Sequence, residues 1–149
     1  MRLIVDTNIL ISTLLQPKSS IGELLLYRLK EVDKFAPHLL FVEIFDKKDK
    51  IAKYSKIEPT DLLELLFRSL KQITFINEHQ IKEENWQKAR ELMQGVDPDD
   101  TVFVALALEM GATLWTGDKK LIQGLRDKGF SAVVSTTELD EHLSSDNNF

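Results

Sequence analysis

Asp6, Glu43, Asp100 and Asp118 are acids far apart in the chain, and each stands where a βα unit leaves its strand or opens its helix. Carboxylates brought together without histidine or cysteine beside them form an all-oxygen donor set, which hard cations such as Mg²⁺ or Mn²⁺ prefer. Unneutralised, such a group repels itself, and one member is driven to hold a proton. A divalent ion removes that conflict and can activate water for hydrolysis. The chemistry therefore depends on whether the fold brings the four acids together.

The elements that would do so can be read from the sequence. Arg2-Leu3-Ile4-Val5 is a short buried strand ending at Asp6, and Thr113-Leu114-Trp115-Thr116 is another ending at Gly117-Asp118. Asp6-Thr7-Asn8 supplies capping side chains for a helix starting near Ile9. Further helices are expected over Ile21 to Leu29, Leu39 to Tyr54, Thr60 to Leu70, Glu83 to Met93, Leu121 to Lys128 and Thr136 to Leu143. Strands are expected at Phe35 to His38, Ile73 to Ile76 and Ser131 to Ser135. Asp97-Pro98-Asp99-Asp100 is a clear helix start, with Asp97 as cap and Pro98 in the first turn. Val102 to Leu108 is apolar without interruption, as in a helix packed on several sides.

Alternation of this kind implies one α/β domain in three layers, with a central parallel sheet of about five short strands and helices on both faces. In such sheets the carboxyl ends of the strands share one crevice, where ligands bind. The domain is expected to span residues 1–143, with a frayed tail over 144–149.

Composition narrows the function. The absence of cysteine excludes disulfides, thiolate metal sites and cysteine nucleophiles. No apolar run approaches the roughly 18 residues of a membrane helix. The N-terminus turns polar too soon for a signal peptide, so a cytoplasmic protein away from the membrane is expected. A net charge of −5 argues against a DNA-binding module but not against a metal-dependent enzyme on nucleic acid. His38, His79 and His142 lack ligand-like spacing, and no Gly-x-Ser-x-Gly elbow is present.

Taken singly, each acid has a plainer reading: Asp6 as a helix cap, Glu43 as a solvated helix residue, Asp100 as a first-turn charge, Asp118 as a turn residue. Their joint arrangement favours a shared site. Glu43 lies among Phe41, Val42, Ile44 and Phe45, a poor setting for a residue serving solubility alone.

The segments Leu3-Ile4-Val5-Asp6-Thr7-Asn8-Ile9-Leu10, Val42-Glu43-Ile44, Asp100-Thr101-Val102-Phe103-Val104-Ala105-Leu106-Ala107 and Leu114-Trp115-Thr116-Gly117-Asp118 together resemble the PIN-domain family of metal-dependent ribonucleases, which includes the VapC-like toxins of toxin–antitoxin systems. The resemblance implies an endoribonuclease using Mg²⁺ or Mn²⁺, with Asp6, Asp100 and Asp118 as metal ligands and Glu43 as a fourth catalytic acid. It implies polar support from Asn8 and Thr116, an RNA substrate, an antitoxin protein as partner, and a homodimer. Some relatives carry another acid two residues after the last aspartate, where this chain has Lys120. Lys119 and Lys120 are therefore read as substrate-binding cations. Lys47, Lys48, Lys50, Lys53 and Lys56 come after Glu43 and would flank the same crevice. The alternative is a relative that binds RNA or a protein partner without cutting. Leu62, Leu63, Leu66 and Phe67 make one helix unusually apolar, a stripe expected to serve core packing.

Overall fold

The computed structural model describes residues 1–146. Its elements, in chain order, are β1 (Arg2–Val5), α1 (Thr7–Leu15), α2 (Ser20–Glu23) running on as a π-helical turn (Leu24–Arg28), β2 (Asp33–Pro37), α3 (Leu39–Asp46), α4 (Lys48–Tyr54) and α5 (Pro59–Lys71). Next come β3 (Thr74–Ile76), a 3₁₀ turn (Glu78–Gln80), α6 (Glu83–Leu92), a 3₁₀ turn (Pro98–Asp100), α7 (Thr101–Met110), β4 (Thr113–Trp115), α8 (Lys119–Asp127), β5 (Val133–Val134) and α9 (Thr136–Asp146).

The five strands form one sheet in the order β3-β2-β1-β4-β5, and every pairing is parallel. The expected three-layer α/β architecture is thus the observed one. Side chains alternate across β1: Leu3 and Val5 join one buried cluster, with α1 to α5 and α9, while Ile4 joins the other, with α6 to α8. Val102 to Ala107 of α7 are all buried, so this helix is the centre of the second layer.

The first three strands are laid down in one direction from β1, and the chain then crosses back to place β4 on β1's other edge. Strand order reverses between β1 and β4. That reversal opens a crevice at the strands' carboxyl ends, where doubly wound sheets take their ligands. Asp6 comes directly after β1 and Asp118 shortly after β4, so the fold puts them on either side of it.

Local differences from the sequence expectations have physical causes. The single helix expected over Leu39 to Tyr54 breaks at Lys47, whose φ of −102° and ψ of 11° end α3 and begin α4. β5 is only two residues long, because only Val133 and Val134 find register partners on β4. Pro37 is the last residue of β2 and is in register with Ile76, so it closes the strand without breaking it. The helix before α7 opens as a 3₁₀ turn capped by Asp97, whose side chain accepts from the Asp99 N–H at 3.0 Å. α9 continues to Asp146, so the tail expected from Ser144 is helical that far, and 147–149 lie outside the described residues.

Candidate metal-dependent active site

Asp6 is the N-cap of α1 by position, yet its side chain makes no capping hydrogen bond. Instead the residue is 4 % exposed and its carboxylate is held from the side. The Thr116 hydroxyl donates to Asp6 Oδ2 at 2.6 Å, and Asn8 Nδ2 donates to the same oxygen at 3.1 Å. Asn8 is fixed in turn, since its Oδ1 accepts from the Gly117 N–H at 3.1 Å. The Asp118 N–H donates to Thr116 Oγ1 at 3.1 Å. One connected network therefore ties the end of β1 to the end of β4. Burial pushes the Asp6 carboxyl above the usual range, its hydrogen bonds oppose that, and the charge of Asp118 adds to it.

Asp118 has a second role beyond the one its position in the sequence suggests. Its Oδ1 accepts from the N–H groups of Lys120 and Leu121, at 3.0 and 3.1 Å, and so caps α8. Asp118 sits immediately before Lys119 at the start of an amphipathic run, which is the usual signal for such a cap.

Glu43 comes from α3 on the α1 side of the crevice. The buried Thr7 hydroxyl donates to Glu43 Oε1 at 3.3 Å. Burial raises the Glu43 carboxyl above its ordinary value, the charges of Asp6 and Asp99 act in the same direction, and Lys47 opposes them. In the sequence Thr7 reads only as a capping side chain; its link to Glu43 needs the α1–α3 packing to become visible.

Asp100 lies at the start of α7 without a side-chain capping bond. Its carboxyl is pushed up to about 7, first by burial and then by the charges of Asp6, Asp97, Asp118 and Glu43. The acids named from sequence are thus electrostatic neighbours in the fold. Lys119 and Lys120 are exposed in the first turn of α8, beside Asp118.

Among the described residues no three acid, histidine or cysteine side chains close around a common point tightly enough to ligate an ion. The donor set itself fits a hard divalent ion, being oxygen-only, partly buried and already burdened by its own charge.

A three-layer parallel α/β fold with acids on both sides of its switch point places a candidate ligand crevice there. The model of the PIN domain family matches residues 4–143, and the chain belongs to that family. Among curated protein sequences none matches. Several solved structures share the fold. The chain is similar to VapBC2 from Rickettsia felis, solved bound to a DNA fragment from its promoter, at 16 % identity and a TM-score of 0.65, over 91 % of this chain and 97 % of that one. It is similar to PAE2754 from Pyrobaculum aerophilum at 16 % identity and a TM-score of 0.68, over 97 % and 90 %. A toxin–antitoxin complex from Klebsiella pneumoniae matches at 18 % identity and a TM-score of 0.62, over 90 % and 97 %.

Proposed function

We propose that this protein is a Mg²⁺- or Mn²⁺-dependent endoribonuclease, the toxin of a toxin–antitoxin pair acting in the cytoplasm. The reading is supported chiefly by the hydrogen-bond network that ties buried Asp6 to the end of β4 through Thr116 and Asn8, within electrostatic reach of Asp118 and Asp100. Membership of the PIN-domain family supports it.

In this reading Asp6, Asp100 and Asp118 would hold the cation, and Asp118 also caps α8 through Oδ1. The bound cation would lower the pKa of water and neutralise charge on the oxygens of the phosphorane-like transition state. Glu43, steadied by Thr7, orients the attacking water and accepts its proton. Thr116 and Asn8 keep Asp6 aimed into the crevice. Lys119 and Lys120 hold the phosphodiester as it enters beside α8.

Manganese-dependent cleavage of RNA by wild type and by Asp6→Asn tests the assignment. Cleavage by the wild type alone is expected, and equal cleavage by both rejects the site.

A groove of about 280 Å³ between α1, α4 and α5 is lined by Leu14, Ile44, Ile51, Leu62, Leu63 and Leu66 among others. Leu63 is 69 % exposed, and Phe67 on the same helix 61 %, so the stripe expected to pack in the core is only half used there. We assign this groove to the antitoxin, in keeping with the toxin–antitoxin complexes among the similar structures. Leu63→Asp is expected to abolish antitoxin capture while leaving RNA cleavage intact. A homodimer is expected by sedimentation. The second reading, a non-cutting relative that binds RNA or a protein, is favoured by Lys120 alone, and the same cleavage assay decides between them.

A further inference from the structure

We propose that Glu78 is a positioning residue for Glu43: from the end of β3 its carboxylate caps α3 and so fixes where that helix begins. This deepens the ribonuclease reading and rests on it. β2 and β3 end side by side, with Pro37 in register with Ile76. Beyond them the chain passes through His38 into α3, and through Asn77 into the 3₁₀ turn Glu78–Gln80. Leu39 and Glu78 thus stand equally far past the paired strand ends, and Glu78 Oε1 accepts from the Leu39 N–H at 2.8 Å. Asn77 pins the turn that presents Glu78, its Oδ1 accepting from the His79 N–H at 2.9 Å.

The helix has no cap from its own segment. His38, in the N-cap position, is already helical at φ −58° and ψ −26°, and its side chain makes no capping bond. Only that one residue separates β2 from α3, which leaves no room for a local capping side chain. The first N–H groups of a helix lack partners within it, and a carboxylate placed there also meets the positive end of the helix dipole. Glu78 supplies both from 39 positions away.

α3 has little else to hold it. It is eight residues long, too short to be stable alone in water. It breaks at Lys47, and only Leu40 and Ile44 are buried along it, while Phe41, Val42 and Phe45 are about half exposed. Glu43 lies one turn beyond Leu39, on the same side of the helix. The bond that Glu43 accepts from Thr7 is 3.3 Å long, looser than the 2.6 Å bond that clasps Asp6. Where the Glu43 carboxylate sits therefore depends on where α3 starts. Without Glu78 the first turn is free to fray and shift, and Glu43 moves with it.

The test compares cleavage of a short unstructured RNA in saturating manganese by wild type, Glu78→Ala and Glu78→Gln, each also combined with Glu43→Gln. Glu78→Ala is expected to lower kcat by up to about 100-fold, with KM and manganese affinity unchanged. Glu78→Gln keeps an acceptor oxygen in place and should rescue most of that loss. Alongside Glu43→Gln, under single-turnover conditions, Glu78→Ala should cost nothing further, because the two residues act as one unit. Amide exchange at Leu39, Phe41 and Val42 should speed up in the alanine protein and not in the glutamine one. Circular dichroism checks folding, and if the alanine protein does not fold, Glu78→Asp, which withdraws the carboxylate by one methylene, takes its place. Unchanged kcat, an equal loss in Glu78→Gln, or the same loss with and without Glu43 overturns the proposal. If wild type never cuts RNA, the ribonuclease reading fails on its own. Faster exchange in the alanine protein alone then leaves the anchor standing, and unchanged exchange overturns it.

Discussion

Asp6 and Asp100 face one crevice from opposite supports, and they are held very differently. Asp6 is locked by Thr116 and Asn8, which are themselves pinned by backbone N–H groups at the end of β4. Asp100 has no side-chain capping bond and rests on a 3₁₀ turn ahead of α7. The sheet side of the crevice is therefore preorganised, while the helix side answers mainly to charge. On the proposed reading, such a division would let one wall fix the position of a cation and the other adjust to it.

The most damaging change to this comparison is at its rigid wall. Asp6→Asn should remove cleavage more completely than the roughly 10- to 100-fold typical of supporting residues, with the fold retained because a desolvated charge has been deleted. Turnover and a thermal melt check both halves. Thr116→Val comes next: it leaves the carboxylate but not its aim, and manganese affinity by calorimetry should fall roughly 10- to 100-fold. If Thr116→Val and Asp6→Asn prove equally severe in cleavage, the hydroxyl is doing more than orienting.

The compliant wall should announce itself through pH. Asp100 has a folded pKa of about 7 against an ordinary 3.8, so the folded state favours its protonated form. The stability this confers is complete below the unfolded value and is lost as pH rises through the folded one. Metal-free protein should therefore melt at lower temperature near pH 8 than near pH 5, and Asp100→Asn should flatten that dependence. Added manganese should stabilise the wild type most at the alkaline end, where the site carries its full charge. The smallest effect is expected at Lys119 and Lys120: their joint replacement by alanine should weaken RNA binding and reduce its salt slope by about 1 to 2, without moving metal affinity.

How much of the molecule is legible in its sequence depends on how local the cause is. The ends of β1 and β4 can be read because an apolar run stops at Asp6 and at Gly117-Asp118, and a parallel sheet collects such ends on one edge. Asp97 as a cap is equally local. The link from Thr7 to Glu43 is not, because it spans 36 positions and exists only once α1 packs on α3. The break at Lys47 is hidden for a related reason, since α3 and α4 each keep helical spacing and nothing in the residues marks the interruption. Solvent exposure is the least legible: Leu62, Leu63, Leu66 and Phe67 share one apolar pattern, yet the fold covers Leu62 and Leu66 in part and leaves Leu63 and Phe67 outside.

Because β1 lies in the middle of the sheet and waits for β4 along one edge, a chain emerging from the ribosome holds Asp6 and Glu43 long before their counterparts exist. Until Thr116 and Asp118 have been synthesised, the first aspartate lacks both its hydroxyl clasp and the acid whose charge acts on it. Premature fragments should thus be inert, and any destructive capacity would be switched on only as translation nears its end.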